Sequence, residues 1–519
     1  RLRRPNLVMV VAAALALLTG LLVRGDTPVT QIVSGWQPVS VFTAPISFRV
    51  DQTAWIMGVS LLIAGLATAL AWLAFPGQSR PAPRALSLLM IAAAVAGVYA
   101  SNLLTLTMAW GMLDLMFVVA LLVRSGPQVG RRAAVAIILN TTSTMCVWIA
   151  TLLIENGHDS LYWHLVNLQD GPRMWLAAAG ALRMGLYPLH QWLPVDLSRE
   201  TNRSALLYTV PTLAGLALWA RLAITHNLPE TSIVPLLALI SAVVGAVLAW
   251  QNSRSRAGLP YVTLGLSGLA VLNLGALTTP GTLTAVALNW LFVTVSLFIA
   301  RSFNRRAPWW SIGGLIAGLA IMGIPGTLGF VARQAMISNL IRSGDWGLLA
   351  GGVLSEALLI AAVIRIVFTP TGDDQPIGLL RQVACGLSII IAAVPLILLA
   401  FNSTLLPGTS SLSNLLSNLE PLTALAWLLP IGVGVAIAWR DLRVMAPATS
   451  NEPNVTDSET PIWLRLIRLD WLSVSFGFVV QRSTALLRGL ASVIEGEGGL
   501  IWVIVIVIVG VVLTSGALK

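Results

Sequence analysis

Ionisable side chains stand inside long apolar runs of this sequence, among them Asp114, Arg183, His190, Arg333 and Glu356. A charge at bilayer depth is costly, so such groups usually line an ion path or pair with one another. Asp114, Glu356 and His190 can change charge, and a relay built on them would pass protons. An arginine keeps its proton at physiological pH, so Arg183 and Arg333 read as fixed charges that pair carboxylates rather than as carriers. For Asp114, pairing with an arginine is as good a reading as a relay. His190 is equally readable as a hydrogen-bonded structural histidine. Glu356 lies in the apolar run 351–363, with Arg365 as its only arginine neighbour in sequence.

Positioning such groups requires membrane helices, and the composition supplies them. The chain has 519 residues, 56% hydrophobic and 10% charged, with mean hydropathy +0.84. That is more apolar surface than a soluble core of this size could hide. The expected fold is an all-α polytopic membrane protein with about fifteen spans, since a crossing needs roughly 20 apolar residues. The spans are predicted near 5–23, 53–75, 85–101, 102–123, 133–154, 173–193, 204–224, 232–251, 258–277, 281–301, 309–341, 346–369, 377–401, 419–439 and 500–517. The first reads as a retained span and not as a cleaved signal peptide.

Net charge is +10, but the arginines are scattered between spans, which argues for topology and against nucleic acid. Arg1, Arg3, Arg4, Arg80, Arg84, Arg124, Arg131, Arg132, Arg254, Arg256, Arg305, Arg306, Arg440 and Arg443 fall on one predicted side, which should be the cytoplasm. The N-terminus is then inside, in a cell inner membrane or an equivalent energy-transducing membrane. Cys146 and Cys385 fall in apolar spans, which argues against an iron–sulfur or zinc site on this chain. No phosphate-binding glycine loop sits between a strand and a helix, so a nucleotide site is not expected.

Pro188 and Pro325 interrupt apolar runs, and each should kink or break its helix. Each broken span is the third of five, in the groups 102–251 and 258–401. Five is odd, so the groups face opposite ways, the plan of an inverted-repeat transporter. Around them lie N-terminal helices over 1–101 and a further helix over 402–445. A polar loop and an amphipathic helix lying on the membrane surface occupy 446–498. A terminal span fills 499–519.

The segment Ala181-Leu-Arg-Met-Gly-Leu-Tyr-Pro-Leu-His-Gln-Trp-Leu-Pro194 resembles the signature of the antiporter-like subunits of complex I (L, M and N types) and of Mrp-type cation/proton antiporters. Pro188, His190, Trp192, Leu193 and Pro194 keep the family order, and Arg183 stands at the family's lysine. Phe48-Arg-Val-Asp51, the run from Arg256 to Tyr261, and Gly323-Ile-Pro-Gly326 with Gly329-Phe330 extend the resemblance along most of the chain. The amphipathic segment before the last span is similar to the lateral helix of the L type, and the family's first helix is expected before Arg1.

Departures from the family fall on its proton-carrying positions. Gly111 stands at the glutamate, Arg183 at the first lysine, Ala214 at the second, Trp290 and Thr294 at a His/Lys pair, and Arg333 at a Lys or Glu. The only lysine in the chain is Lys519. Asp114, one turn after Gly111, would stand in for the glutamate. The proton-path candidates are thus Asp114, Arg183, His190, Arg256, Arg333 and Glu356.

The resemblance implies a membrane-arm subunit of a complex I type oxidoreductase that contributes to proton translocation, with its channel impaired or rerouted. Quinone, flavin and iron–sulfur clusters would sit on partner subunits. A scaffold without conduction fits the losses too. The rival from another class is a stand-alone or two-component antiporter or bicarbonate-uptake subunit.

Overall fold

The computed structural model describes residues 4–33, 44–74, 82–124, 130–157, 160–165, 168–193, 201–229, 233–253, 258–276, 279–302, 310–368 and 378–444 apart from 403, 404, 407, 410 and 418. Isolated positions between 467 and 485 follow. The chain forms two compact units, Arg1–Ser458 and Glu459–Lys519. In the second, Arg482 lies over the ring of Phe478. Most of the amphipathic segment and all of the terminal span 500–517 lie outside the described residues, as does Arg256.

In the first unit the helices are α1 (Arg4–Leu22), α2 (Gln52–Ala74), α3 (Ala82–Tyr99), α4 (Leu103–Arg124), α5 (Gly130–Asn156), α6 (Asp170–Met184), α7 (Thr201–Ile224), α8 (Ile233–Gln251) and α9 (Gly258–Ala276). There follow α10 (Pro280–Ser302), α11 (Trp310–Ile321), α12 (Leu328–Ser343), α13 (Trp346–Phe368), α14 (Leu379–Phe401), the short α15 (Leu412–Ser417) and α16 (Pro421–Val444). Among the described residues ten are long and apolar enough to cross a membrane, and 6–22, 84–99 and 312–321 are shorter apolar helices. Helices are the natural solution here, because a lipid-embedded backbone must satisfy its own hydrogen bonds.

One element that hydropathy does not reveal is an antiparallel pair, β1 (Val29–Ile32) with β2 (Ser47–Val50), in the connection between α1 and α2. It is continued by bridges of Phe48 to Ala100 and of Asn102 to Tyr162, so the pair, the start of α4 and the segment after α5 gather at one end of the bundle.

The core lies around α9 and α10, which are almost wholly buried. Small residues allow close approach: a Cβ on Gly245 would lie 2.3 Å from the Gly265 nitrogen, so α8 and α9 touch backbone to backbone. Arg84, at the start of α3, is buried against Asn6 of α1.

Both expected breaks are present, and in both a glycine ends the helix before the proline is reached. Gly185 (φ +66°) stops α6, with Leu186 N–H donating to the Ala181 carbonyl. Gly323 (φ +62°) follows α11, with Ile324 N–H donating to the Leu319 carbonyl. Both are left-handed helix terminations of the Schellman kind. A side chain is excluded at both as well, since a Cβ would lie 2.6 Å from Trp192 Nε1 at Gly185 and 3.0 Å from Arg333 Cδ at Gly323. Attributing the breaks to proline alone is therefore incomplete: Pro188 and Pro325 follow helix ends that glycine has already made.

Candidate functional site: two buried carboxylate–arginine pairs

The first break delivers Arg183, in the last turn of α6, to Asp114 of α4. Arg183 Nη2 lies 2.8 Å from Asp114 Oδ1 and 3.0 Å from Oδ2, and the arginine is fully buried. Helix α5 completes the shell. Thr144 Oγ1 donates to Asp114 Oδ2 at 2.5 Å and accepts from Arg183 Nη2 at 2.7 Å, while Ser143 Oγ accepts from Arg183 Nε at 3.3 Å. Arg183 Nη1 has no acceptor, and the guanidinium instead stacks 4.0 Å from the centre of the Trp110 ring. Asn140 Oδ1, on the same face of α5, is buried without a donor.

A 3₁₀ turn, Leu189–Trp192, follows the break and is pinned on two sides. Trp192 meets Phe117 of α4 edge-on at 6.0 Å, and Tyr187 N–H donates to Ser241 Oγ of α8 at 2.9 Å. His190 is buried in this turn and stacks on Tyr187 with ring centres 5.3 Å apart.

The second break builds the second pair. Arg333 of α12 approaches Glu356 of α13, Nη2 to Oε2 at 2.6 Å, both side chains buried. This contact is close but too bent to count as a hydrogen bond. The guanidinium spends its directional bonds on carbonyls, Nη1 to Met322 at 2.6 Å and Nη2 to Trp427 at 3.1 Å. Trp427 of α16 returns a bond from Nε1 to the Gly323 carbonyl at 2.9 Å and packs edge-on against Phe330. One carbonyl left by the broken helix, that of Met322, and one from α16, that of Trp427, thus hold the arginine.

The buried helices α9, α10 and α12 also carry neutral polar side chains. Trp290 Nε1 donates to Ser267 Oγ at 3.1 Å. Thr294 Oγ1, Ser296 Oγ, Asn273 Oδ1 and Gln334 Oε1 are buried with no protein partner. Unsatisfied polar atoms at such depth are the usual seats of ordered water.

Of the six candidate residues, the structure joins Asp114 to Arg183 and Arg333 to Glu356, and it places His190 in the first break. Arg365, the sequence neighbour of Glu356, turns elsewhere. With Trp250 Nε1 it binds Asp441 of α16, each at 3.0 Å. Sequence reasoning missed Thr144, Ser143 and Trp427 as site residues, because neutral side chains in apolar helices carry no charge signal.

The family described as NADH:quinone oxidoreductase/Mrp antiporter, transmembrane region, matches residues 100–359, half of the chain. The chain belongs to this family. The match runs from just before α4 into α13 and so contains both charge pairs. Among its relatives is subunit N of the NADH-quinone oxidoreductase of Acidithiobacillus ferrooxidans, 26% identical over 278 residues, covering 47% of this chain and 57% of the relative. Subunit N of Cupriavidus taiwanensis is 25% identical over 239 residues, 39% of this chain and 49% of that one. The chain spans about half the length of these relatives.

In fold, it resembles a chain of the Mrp complex from Dietzia sp. DQ12-45-1b, with TM-score 0.71 and 18% identity over 98% of this chain and 60% of that chain. It also resembles a chain of an archaeal respiratory complex, the membrane-bound sulfane sulfur reductase, with TM-score 0.67 and 16% identity over 97% and 95% of the two. The protein is therefore an antiporter-like, multi-pass membrane protein of the complex I/Mrp kind, as the motif around Pro188 indicates.

Proposed function

We propose that this chain is a membrane-arm subunit of a complex I type assembly and contributes to proton translocation through a rerouted channel. The observation that carries the reading is the placement of a buried carboxylate–arginine pair at each of two helix breaks. The guanidinium cannot give up its proton, so lysine-type relay is closed to it. Protons would instead visit Asp114 and Glu356. When the arginine is withdrawn, a buried carboxylate left without its cation neutralises by taking a proton. Returning the arginine expels that proton. Each pair is then a two-state element whose charge separation is the step.

The inverted five-helix halves 102–251 and 258–401, and a cytoplasmic N-terminus, belong to this proposal. Both halves carry a Gly-then-Pro break with an arginine beside it, which supports the symmetry. Quinone, flavin and iron–sulfur clusters would sit on partner subunits. The L-type character rests only on the segment 461–495, and the relatives named above are of the N type.

An outer surface supports side-by-side assembly. Exposed positions of α4 and α5 include Met108, Gly111, Met112, Thr141, Thr142 and Met145, next to Asp114, whose side chain is 11% exposed. Leu115, Leu122 and Leu153 are also exposed on α4 and α5, and on α14 and α16 the exposed side chains include Leu380, Val383, Ile390, Leu425 and Val433. Hydroxyls and a carboxylate edge suit a protein neighbour, whereas aliphatic side chains suit lipid.

Gentle detergent extraction from the native membrane, followed by mass spectrometry of what travels with this chain, tests the assembly. Quinone-site and iron–sulfur subunits are expected. A lone chain, or one soluble partner, would overturn the assignment in favour of a transporter.

A further inference from the structure

A small cavity of about 20 Å³ lies among α2, α3, α4, α7 and the segment after α5, bounded by Gly97, Val98, Trp110, Trp163, Ala217 and Arg221. It has room for about one water. Its far wall belongs to the end of the bundle that carries β1 and β2. There Arg221 donates from Nη2 to the Val98 carbonyl at 3.0 Å and from Nη1 to the Ala100 carbonyl at 3.4 Å, and it lies over the Trp163 ring at 5.7 Å. Those carbonyls end α3, and Ala100 bridges to Phe48 of β2. The near wall is Trp110, which is itself 1% exposed and has Arg183, which does not line the cavity, 4.0 Å from its ring centre.

Three features make Trp110 a movable wall. Its pyrrole edge faces Gly97, where a Cβ would only just touch it at 3.4 Å, so the glycine leaves a methyl's space beside the ring. The neighbours across the cavity, Ala94, Ala214 and Ala217, are small. In the guanidinium stacked on that ring, Arg183 Nη1 is a buried donor with no acceptor, a cost that water would remove. Turning the indole toward Gly97 exchanges a cation–π contact for hydration of that donor.

We infer that the cavity is a hydrated vestibule opening toward the β1–β2 end, and that Trp110 is the gate between it and the Asp114–Arg183 pair. This deepens the reading of that pair as part of an ion path by giving it a sided water entry. The water would reach Arg183 first, at Nη1, and Asp114 only through it. Opening of the gate and withdrawal of the arginine would then be one event.

The test uses native membrane vesicles of both orientations and the full chain with Cys146→Ala and Cys385→Ala. Single cysteines are placed at Ala217, in the vestibule, and at Ser143, behind Trp110. Silver ion is the small thiol-blocking probe, and maleimide labelling after denaturation counts the thiols left unblocked. Ala217→Cys is expected to be blocked only from the side bearing β1–β2, and Ser143→Cys to be protected from both sides. Adding Trp110→Ala should abolish that protection from the β1–β2 side. Trp110→Leu, which retains more packing, should do the same if the alanine variant fails to fold. A protected Ala217→Cys would remove the vestibule. A Ser143→Cys that reacts equally with Trp110 intact, or stays protected in every folded Trp110 variant, would remove the gate. The readout needs no ion flux, so it stands or falls separately from conduction.

Discussion

At the scale of single residues, the first charge pair is a balance of opposing costs. Arg183 is completely buried, and in exchange for water it has Asp114, two α5 hydroxyls, the Asn140 carbonyl and the Trp110 ring. Asp114→Asn should therefore cost roughly 3–5 kcal/mol, the penalty for stranding a buried charge. Replacing both Asp114 and Arg183 by leucine should recover most of that loss. Thermal unfolding in detergent measures both, and a single variant no less stable than the double one would contradict the pairing. Trp427→Phe keeps the edge contact to Phe330 but loses the bond to Gly323, so a smaller loss of about 0.5–1.5 kcal/mol is expected in the same assay. The charged members of these sites were legible in the sequence because ionisable groups stand out in apolar runs. Their neutral partners were not, since a threonine or tryptophan in a membrane helix has many reasons to be there. The bond from Trp427 to Gly323 spans 104 positions, and nothing local announces it.

At the scale of elements, each break is a helix that ends on a left-handed glycine, followed beyond a proline by a 3₁₀ turn at the first break and by α12 at the second. The proline was the visible sign in the sequence; the glycine does the terminating. Gly323→Ala should then destabilise by about 1–2 kcal/mol for the left-handed backbone alone, with more from the Arg333 contact. Pro325→Ala, beyond the helix end, should cost less. If Pro325→Ala proves the more damaging in a thermal melt, proline is the true breaker. The hydrophobic runs located the long helices well, because a bilayer imposes one length on them all. The β1–β2 pair escaped notice because four-residue strands without a hydrophobic face leave no periodic trace.

At the scale of the whole molecule, two charge pairs, a set of buried neutral polar side chains and a methionine- and threonine-bearing outer face belong together in the proposed assembly. The family was readable from the run around Pro188, but the partners are a property of other chains. Conduction is the central claim, and proton flux tests it most directly. The intact purified assembly would be placed in liposomes carrying a pH-sensitive dye and driven by its own electron donor, comparing wild type with Asp114→Asn and Glu356→Gln. Lower proton uptake per electron in both variants, with electron transfer still running, is the predicted result. Unchanged uptake per electron in two folded, assembled variants would contradict conduction through this chain and leave it a scaffold.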